Sequence, residues 1–195
     1  FIVPNSVEVR DYQVNLANQA KNENCLIILP TGLGKTVVAL HVIADYLTKG
    51  NGGVLFLAPT KVLVNQHYEF LKNTLAIDDI ALITGENLLT KRKKLWINSV
   101  ICATPEITRN DIARKIVDTT QFNLIIFDEA HRAVGDYAYV EIAKQLNKSN
   151  VRLLGMTATL PSEKEKAKEI CDNLHVRGLA ERNDSSPDVK PYIQE

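Results

Sequence analysis

Leu29-Pro30-Thr31-Gly32-Leu33-Gly34-Lys35-Thr36 is the stretch around which this 195-residue chain is arranged. The apolar run Cys25-Leu26-Ile27-Ile28-Leu29 precedes it and reads as a buried strand, and Val37-Val38-Ala39-Leu40-His41-Val42-Ile43 follows and reads as the start of a helix. Strand, glycine-rich turn and helix in that order form the setting a phosphate-binding loop requires. Gly32 and Gly34 open backbone angles closed to other residues, so the loop from Thr31 through Leu33 can bring its amides, and the positive end of the helix, against an anion. Lys35 is set to reach the β- and γ-phosphates of a nucleotide and the Thr36 hydroxyl to bind Mg²⁺. The strict form of the motif has glycine where Leu29 stands.

Composition bounds the class without naming a partner. The length fits a single domain of about 100–200 residues, enough for a full core. Apolar residues make up 45% and charged residues 24%, an ordinary balance for a soluble globular protein. Lys plus Arg and Asp plus Glu are both 23, so bulk charge offers nucleic acid no attraction and such binding would need a local basic patch. Cys25, Cys102 and Cys171 form no CxxC pair and no disulfide framework. The first two sit in apolar runs as small hydrophobes, which suits a reducing compartment. No apolar run approaches the roughly 20 residues of a membrane span, and no signal peptide is visible. The chain opens on Phe1 rather than Met, as expected if its first residues were trimmed or cut from a longer protein.

Residues 7–20 carry Val9, Tyr12, Leu16 and Ala20 near helical spacing, with Pro4 and Ser6 as start signals. This helix is expected either simply to cap the sheet or to present the Gln13 amide to an adenine edge, since amides pair with adenine N6 and N7. Further helices are expected over 35–48, 62–75, 90–98, 137–146 and 163–174, the first ending at Gly50-Asn51-Gly52-Gly53. Strands are expected over 25–29, 54–57, 80–83, 100–103, 124–127 and 151–156. Near-continuous apolar strands alternating with helices imply an α/β fold, a parallel sheet with helices on both faces. Ligands of such sheets bind at the carboxyl ends of the strands. The turns holding Thr31 and Thr36, Thr60 and Lys61, Thr84 and Gly85, Thr104 and Glu106, Asp128 and His131, and Thr157 and Thr159 all leave strands at that end. They are expected to share one rim.

Asp128 and Glu129 close the apolar run Leu124-Ile125-Ile126-Phe127. A carboxylate there can hold Mg²⁺ opposite Thr36, because Mg²⁺ takes few carboxylates and keeps phosphates and waters. The second carboxylate, Glu129, can then orient and deprotonate an attacking water.

These residues, with Ala58-Pro59-Thr60-Lys61, Ala103-Thr104-Pro105-Glu106, Asp128-Glu129-Ala130-His131 and Thr157-Ala158-Thr159, stand in the order seen in superfamily-2 helicases, which the chain resembles from Arg10 to Thr159. His131-Arg132-Ala133-Val134-Gly135, Tyr137-Ala138-Tyr139-Val140 and Ser186-Pro187-Asp188-Val189-Lys190-Pro191-Tyr192 resemble the archaeal Hef helicase-nuclease and the related Fanconi anaemia M translocase. The resemblance implies a RecA-like P-loop fold that uses ATP and Mg²⁺. It implies that residues 1–184 are the first of two ATP-binding motor domains; residues 185–195, with Pro187 and Pro191, read as an extended tail or linker towards a following domain. Gln13 matches the adenine-reading glutamine and Arg10 its companion. Thr60, Lys61, Thr84, Gly85 and Thr104 match positions that touch the nucleic-acid backbone. Thr157 and Thr159 match the motif coupling hydrolysis to strand movement, and His131 an inter-domain contact position.

The resemblance further implies forked or branched DNA as substrate, a cytoplasmic location in a prokaryote or a nuclear one in a eukaryote, and no membrane. The second motor domain of the family supplies arginines that complete the ATP site. No counterpart follows Thr159, and Arg177 and Arg182 lack the pattern. The chain is therefore expected to bind nucleotide as an incomplete motor, with the second motor domain and a nuclease expected elsewhere in a longer protein. The run Lys91-Arg92-Lys93-Lys94 reads as a solvated face or a phosphate-tracking patch, and Glu163-Lys164-Glu165-Lys166 as a salt-bridged exposed face. Two other readings compete: a double-stranded-RNA translocase of the Dicer or antiviral-sensor type, which shares Arg10, Tyr12, Gln13 and the Asp128-Glu129-Ala130-His131 motif, and a nucleic-acid binding module without turnover.

Overall fold

The computed structural model describes residues 1–50 and 52–193. Seven strands form one sheet: β1 (Cys25–Ile28), β2 (Gly53–Leu57), β3 (Ile80–Ile83), β4 (Val100–Ala103), β5 (Phe122–Asp128), β6 (Arg152–Thr157) and β7 (Gly178–Glu181). Their order is β3-β4-β2-β5-β6-β1-β7, and every pairing is parallel. The helices are α1 (Asp11–Asn22), α2 (Lys35–Lys49), α3 (Lys61–Thr74), α4 (Leu89–Leu95), α5 (Pro105–Ala113), α6 (Ala138–Leu146) and α7 (Lys164–Asn173).

Strand alternation sends successive side chains to opposite faces. Cys25, Ile27, Val54, Phe56, Leu124 and Ile126 meet α1, α2 and α3 on one face. Leu26, Ile28, Leu55, Leu57, Ile125 and Phe127 meet α6, α7 and Trp96 on the other. Both faces are covered, which is why the strands read as apolar runs rather than alternating ones. Burial pushes the Cys25 thiol up to about 11 and the Cys102 thiol higher still, as for small core hydrophobes. Among the described residues no helix is long and apolar enough to cross a membrane.

Three expectations are corrected. The N-terminal helix begins at Asp11, not at residue 7: Arg10 is extended, Val9 is 63% exposed, and the Ser6 hydroxyl bonds back to the Val3 carbonyl instead of capping a helix. A seventh strand, β7, adds to the six that the sequence predicts. It is a short edge strand beside β1 in which only Ala180 is buried, so it carries no apolar run. The stretch from Ser185 is not extended up to Ile193. Val189 is fully buried, Arg182 Nε donates to Asp188 at 3.0 Å, and the Tyr192 ring meets Tyr12 edge-on at 5.6 Å. Val189 and Tyr192 thus find apolar cover against α1. Asn51, within the expected helix end Gly50-Asn51-Gly52-Gly53, and Gln194 and Glu195 lie outside the described residues.

Candidate nucleotide and nucleic-acid site

The sheet topology brings the sequence-predicted residues to the carboxyl rim. Ile28 pairs with Thr157, and Asp128 with Met156, so β6 stands between the strand feeding the phosphate loop and the strand bearing the carboxylates. Leu29, at the first position of the loop motif, is buried, and its amide donates to the Thr157 carbonyl at 3.0 Å. An apolar side chain there anchors the loop into the core while the backbone ties it to the Thr157 turn.

Gly34 caps α2 in the left-handed region (φ +81°) with no side-chain cap bond. The Val37 and Val38 amides donate to the Gly34 carbonyl, and those of Lys35 and Thr36, with no intrahelical acceptor, are left as donors suited to an anion. Lys35 makes no ion pair among the described residues. The space over Gly34 is taken by the Gln13 amide, which a Cβ at residue 34 would strike.

Gln13 is 3% exposed; its Nε2 donates to the Leu33 carbonyl at 3.1 Å, and the Tyr12 hydroxyl donates to the same oxygen at 2.7 Å. The Gln13 Oε1 is buried without a partner. An orphaned buried acceptor costs about 1–3 kcal/mol, and an adenine N6 amino group is a donor that would satisfy it. Helix α1 therefore both packs on the sheet and aims an amide at the loop. Arg10 pairs with Glu8 at 3.1 Å and lies over the Tyr192 ring at 5.3 Å.

Asp128 is 6% exposed, and its carboxylate is fixed on both oxygens: Oδ1 accepts from the Glu129 amide at 2.9 Å and Oδ2 lies 2.7 Å from His67 Nε2. Two carboxylate oxygens offer about four lone-pair sites, so capacity for a cation remains after these two bonds. The Tyr139 hydroxyl donates to the Asp128 carbonyl at 2.7 Å; burial pushes its pKa well up, so it stays a donor. Glu129 adopts φ +50°, a left-handed conformation that costs a non-glycine residue about 1–3 kcal/mol. It turns the chain from β5 into the 3₁₀ segment Ala130–Arg132.

His131 Nδ1 lies 3.0 Å from Thr157 Oγ1, and the Thr157 hydroxyl donates to the Thr159 carbonyl at 2.8 Å. A hydroxyl has one proton, so His131 must donate through Nδ1. The residues expected to couple hydrolysis to movement, His131, Thr157 and Thr159, thus form one chain of hydrogen bonds.

Lys61, Gly85 and Thr104 line a cleft of about 410 Å³ with Pro59, Arg132 and Tyr137. Thr60 is spent on capping α3, its oxygen accepting from the Leu63 amide at 3.2 Å, and Thr84 is 8% exposed with its oxygen accepting from the Glu86 amide at 3.3 Å. A larger cavity, about 750 Å³, opens at the amino ends of β2, β3 and β4 around Gly53, Asp79 and Ser99, and is lined by none of the predicted site residues.

Sequence reasoning missed two groups. His67 gave only a weak signal, one histidine on a helix face. Arg92, read with its neighbours as solvated or phosphate-tracking, is instead 7% exposed. It donates to both oxygens of fully buried Asp111, at 2.9 and 3.2 Å, and to the Asn87 carbonyl at 2.7 Å; Trp96 Nε1 donates to Asp111 at 2.9 Å. Asn87 Oδ1 in turn accepts from the Thr84 amide at 2.8 Å. This strut braces the Thr84 turn against α5. Lys91, Lys93 and Lys94 remain exposed.

The DEAD/DEAH box helicase profile matches residues 10–167. A Methanocaldococcus jannaschii protein provisionally named an ATP-dependent RNA helicase is 43% identical over 99% of this chain, which covers 25% of that protein. The mouse Fanconi anemia group M protein homolog is 36% identical over the whole chain, which covers 10% of it. The ATP-dependent DNA helicase Fml1 of Schizosaccharomyces pombe is also 36% identical over the whole chain, which covers 24% of it. Among solved structures, the Pyrococcus furiosus Hef helicase domain superposes with a TM-score of 0.92 at 41% identity, over 96% of this chain and 41% of that one. The chain thus spans a quarter or less of the curated relatives it matches.

Proposed function

This chain belongs to the DEAD/DEAH box helicase family, and from that premise we propose that it is the ATP-binding motor domain of a helicase or translocase acting on forked or branched DNA. The observation that carries the reading is a phosphate loop with unclaimed helix amides and an orphaned Gln13 Oε1, on one rim with a buried Asp128 and a turned-out Glu129. Gln13 reads the base, with Arg10 beside it. The amides from Thr31 to Thr36 and the Lys35 ammonium hold the phosphates. Thr36 and Asp128 would hold Mg²⁺, which when bound neutralises charge developing on the transferred phosphoryl group. Glu129 orients the attacking water and takes its proton. The cleft of Lys61, Gly85 and Thr104 takes the nucleic-acid backbone, whose phosphates carry no sequence information, as a motor that must pass any sequence requires.

Residues 1–184 form this motor domain, and the stretch from Ser185, which packs back on α1 through Val189 and Tyr192, leads towards a further domain. A second motor domain supplies the arginines that complete the ATP site, worth about 10³–10⁵ in rate, and a nuclease domain accompanies it. Work on DNA places the whole protein in a prokaryotic cytoplasm or a eukaryotic nucleus. The test is ATP turnover by the full-length protein. Glu129→Gln should keep nucleotide binding and lose turnover by about 10²–10⁴. Lys35→Ala should abolish the nucleotide-induced rise in melting temperature, which otherwise corresponds to about 2.7 kcal/mol at 100 times Kd. A shift that survives Lys35→Ala would locate the nucleotide elsewhere. Action on double-stranded RNA is the second reading, favoured by the RNA helicase name of one relative.

A further inference from the structure

Two cations of the nucleic-acid cleft are each held by a carboxylate: Lys61 Nζ lies 2.6 Å from Glu86 Oε1, and Arg132 Nε lies 3.1 Å from Glu129 Oε2. The carboxylates differ in kind. Glu86 is exposed and serves no other group in the site, whereas Glu129 is the base assigned above. Resting on that assignment, we propose that Arg132 is a positioning residue that reports bound nucleic acid to the ATP site. Without nucleic acid its guanidinium pins the Glu129 carboxylate. A backbone phosphate entering the cleft draws the guanidinium away and frees Glu129 to orient water.

The geometry fits such an exchange. Arg132 bonds Glu129 through Nε alone, and both Nη groups lack hydrogen-bond partners among the described residues. An incoming phosphate can therefore engage the open fork in the two-pronged manner that favours arginine. The two side chains are 47% and 34% exposed. Such a pair is weak and is easily displaced. The main chain stays in place meanwhile. The Glu129 amide is bonded to Asp128 Oδ1, and the Arg132 amide donates to the Glu129 carbonyl at 3.0 Å. The change is confined to two side chains. Lys61 undergoes the same exchange with Glu86, but with no catalytic consequence.

The test uses the full-length protein, with forked DNA as the probe. In Arg132→Gln, ATP turnover without DNA should rise by about 1.5- to 5-fold, the range for releasing an exposed pair, and the DNA-stimulated to basal ratio should fall by the same factor. The salt dependence of DNA binding, a readout independent of turnover, should become shallower by about 0.7–0.9 in slope, one phosphate contact. Arg132→Lys should recover much of the slope and part of the ratio. Basal and stimulated rates that fall together, an unmoved ratio, or an unmoved slope would each overturn the proposal while leaving Glu129 as the base. Turnover that survives Glu129→Gln would overturn the assignment of the base, and the switch with it.

Discussion

His67 Nε2 lies 2.7 Å from Asp128 Oδ2, with the imidazole stacked on Phe56 at 4.5 Å between ring centres. An ionised carboxylate only accepts hydrogen bonds, so the ring donates through Nε2. His67 sits on α3, which begins at Lys61 in the cleft proposed above to take the nucleic-acid backbone. One helix therefore has one end at the proposed strand-binding cleft and its buried face on the carboxylate proposed to hold the metal.

Removing a partner that orients a metal-binding carboxylate costs about 10–100-fold in metal affinity or activity. His67→Ala should therefore raise the Mg²⁺ concentration for half-maximal nucleotide binding by that order, with a smaller effect on folding. His67→Gln, which keeps a donor, should recover part of it. Titration of Mg²⁺ against nucleotide-induced thermal stabilisation measures both. An unchanged Mg²⁺ requirement in His67→Ala would mean that Asp128 holds its position without help.

Gln13 and Gly34 form a second linked pair. Gln13→Ala removes the acceptor offered to adenine and should weaken ATP by about 1–2 kcal/mol, about 5–30-fold in Kd. Binding of CTP should change less. Gly34→Ala should be worse, because its φ of +81° disfavours a Cβ and the added methyl would strike the Gln13 amide. Calorimetric titration with ATP and CTP separates the two effects. Equal weakening of both nucleotides by Gln13→Ala would deny Gln13 a base-reading role.

Arg92 and Asp111 predict a stability effect. Asp111→Ala leaves a buried guanidinium and the Trp96 indole without their acceptor. Breaking a buried pair in this way costs about 3–5 kcal/mol, a large share of the roughly 5–15 kcal/mol that holds a domain together. The pair Arg92→Met with Asp111→Leu should recover most of that loss, since apolar replacement of a buried ion pair is often neutral. Urea midpoints of the two variants decide it. A single variant as stable as the parent would show that the strut adds nothing to stability.

The sheet and its rim were legible because apolar runs and the turns after them are local signals. Thr31 to Thr36, Asp128, Glu129, His131 and Thr157 all lie where strand-to-helix alternation puts them. The misses are of a different kind. Edge strand β7 buries one side chain, so periodicity gave no sign of it. Arg92 looks like its three lysine neighbours until Asp111, nineteen residues on, is brought to it by the packing of α4 near α5. His67 and Asp128 are 61 residues apart and meet only because α3 crosses the sheet from β2 to β3. Pairs formed by tertiary packing leave no spacing to read.

Substrate choice is the last expectation, and the rim itself does not decide it. Lys61, Gly85 and Thr104 suit phosphates, which are common to DNA and RNA and carry no sequence information. The contacts are few and the net charge is zero, so binding by this domain should be modest and insensitive to sequence. Its salt slope should be shallow, about 0.7–0.9 per phosphate contacted. Preference for a fork over a linear duplex needs contacts to two arms at once, which one cleft cannot make, so it should come from regions beyond this domain. Competition binding of the full-length protein with forked DNA, linear DNA and double-stranded RNA at fixed salt measures the outcome. Forked DNA should win. Equal binding of forked and linear DNA would remove the branched-substrate assignment and leave the motor intact, while RNA in first place would replace the DNA reading with the RNA one.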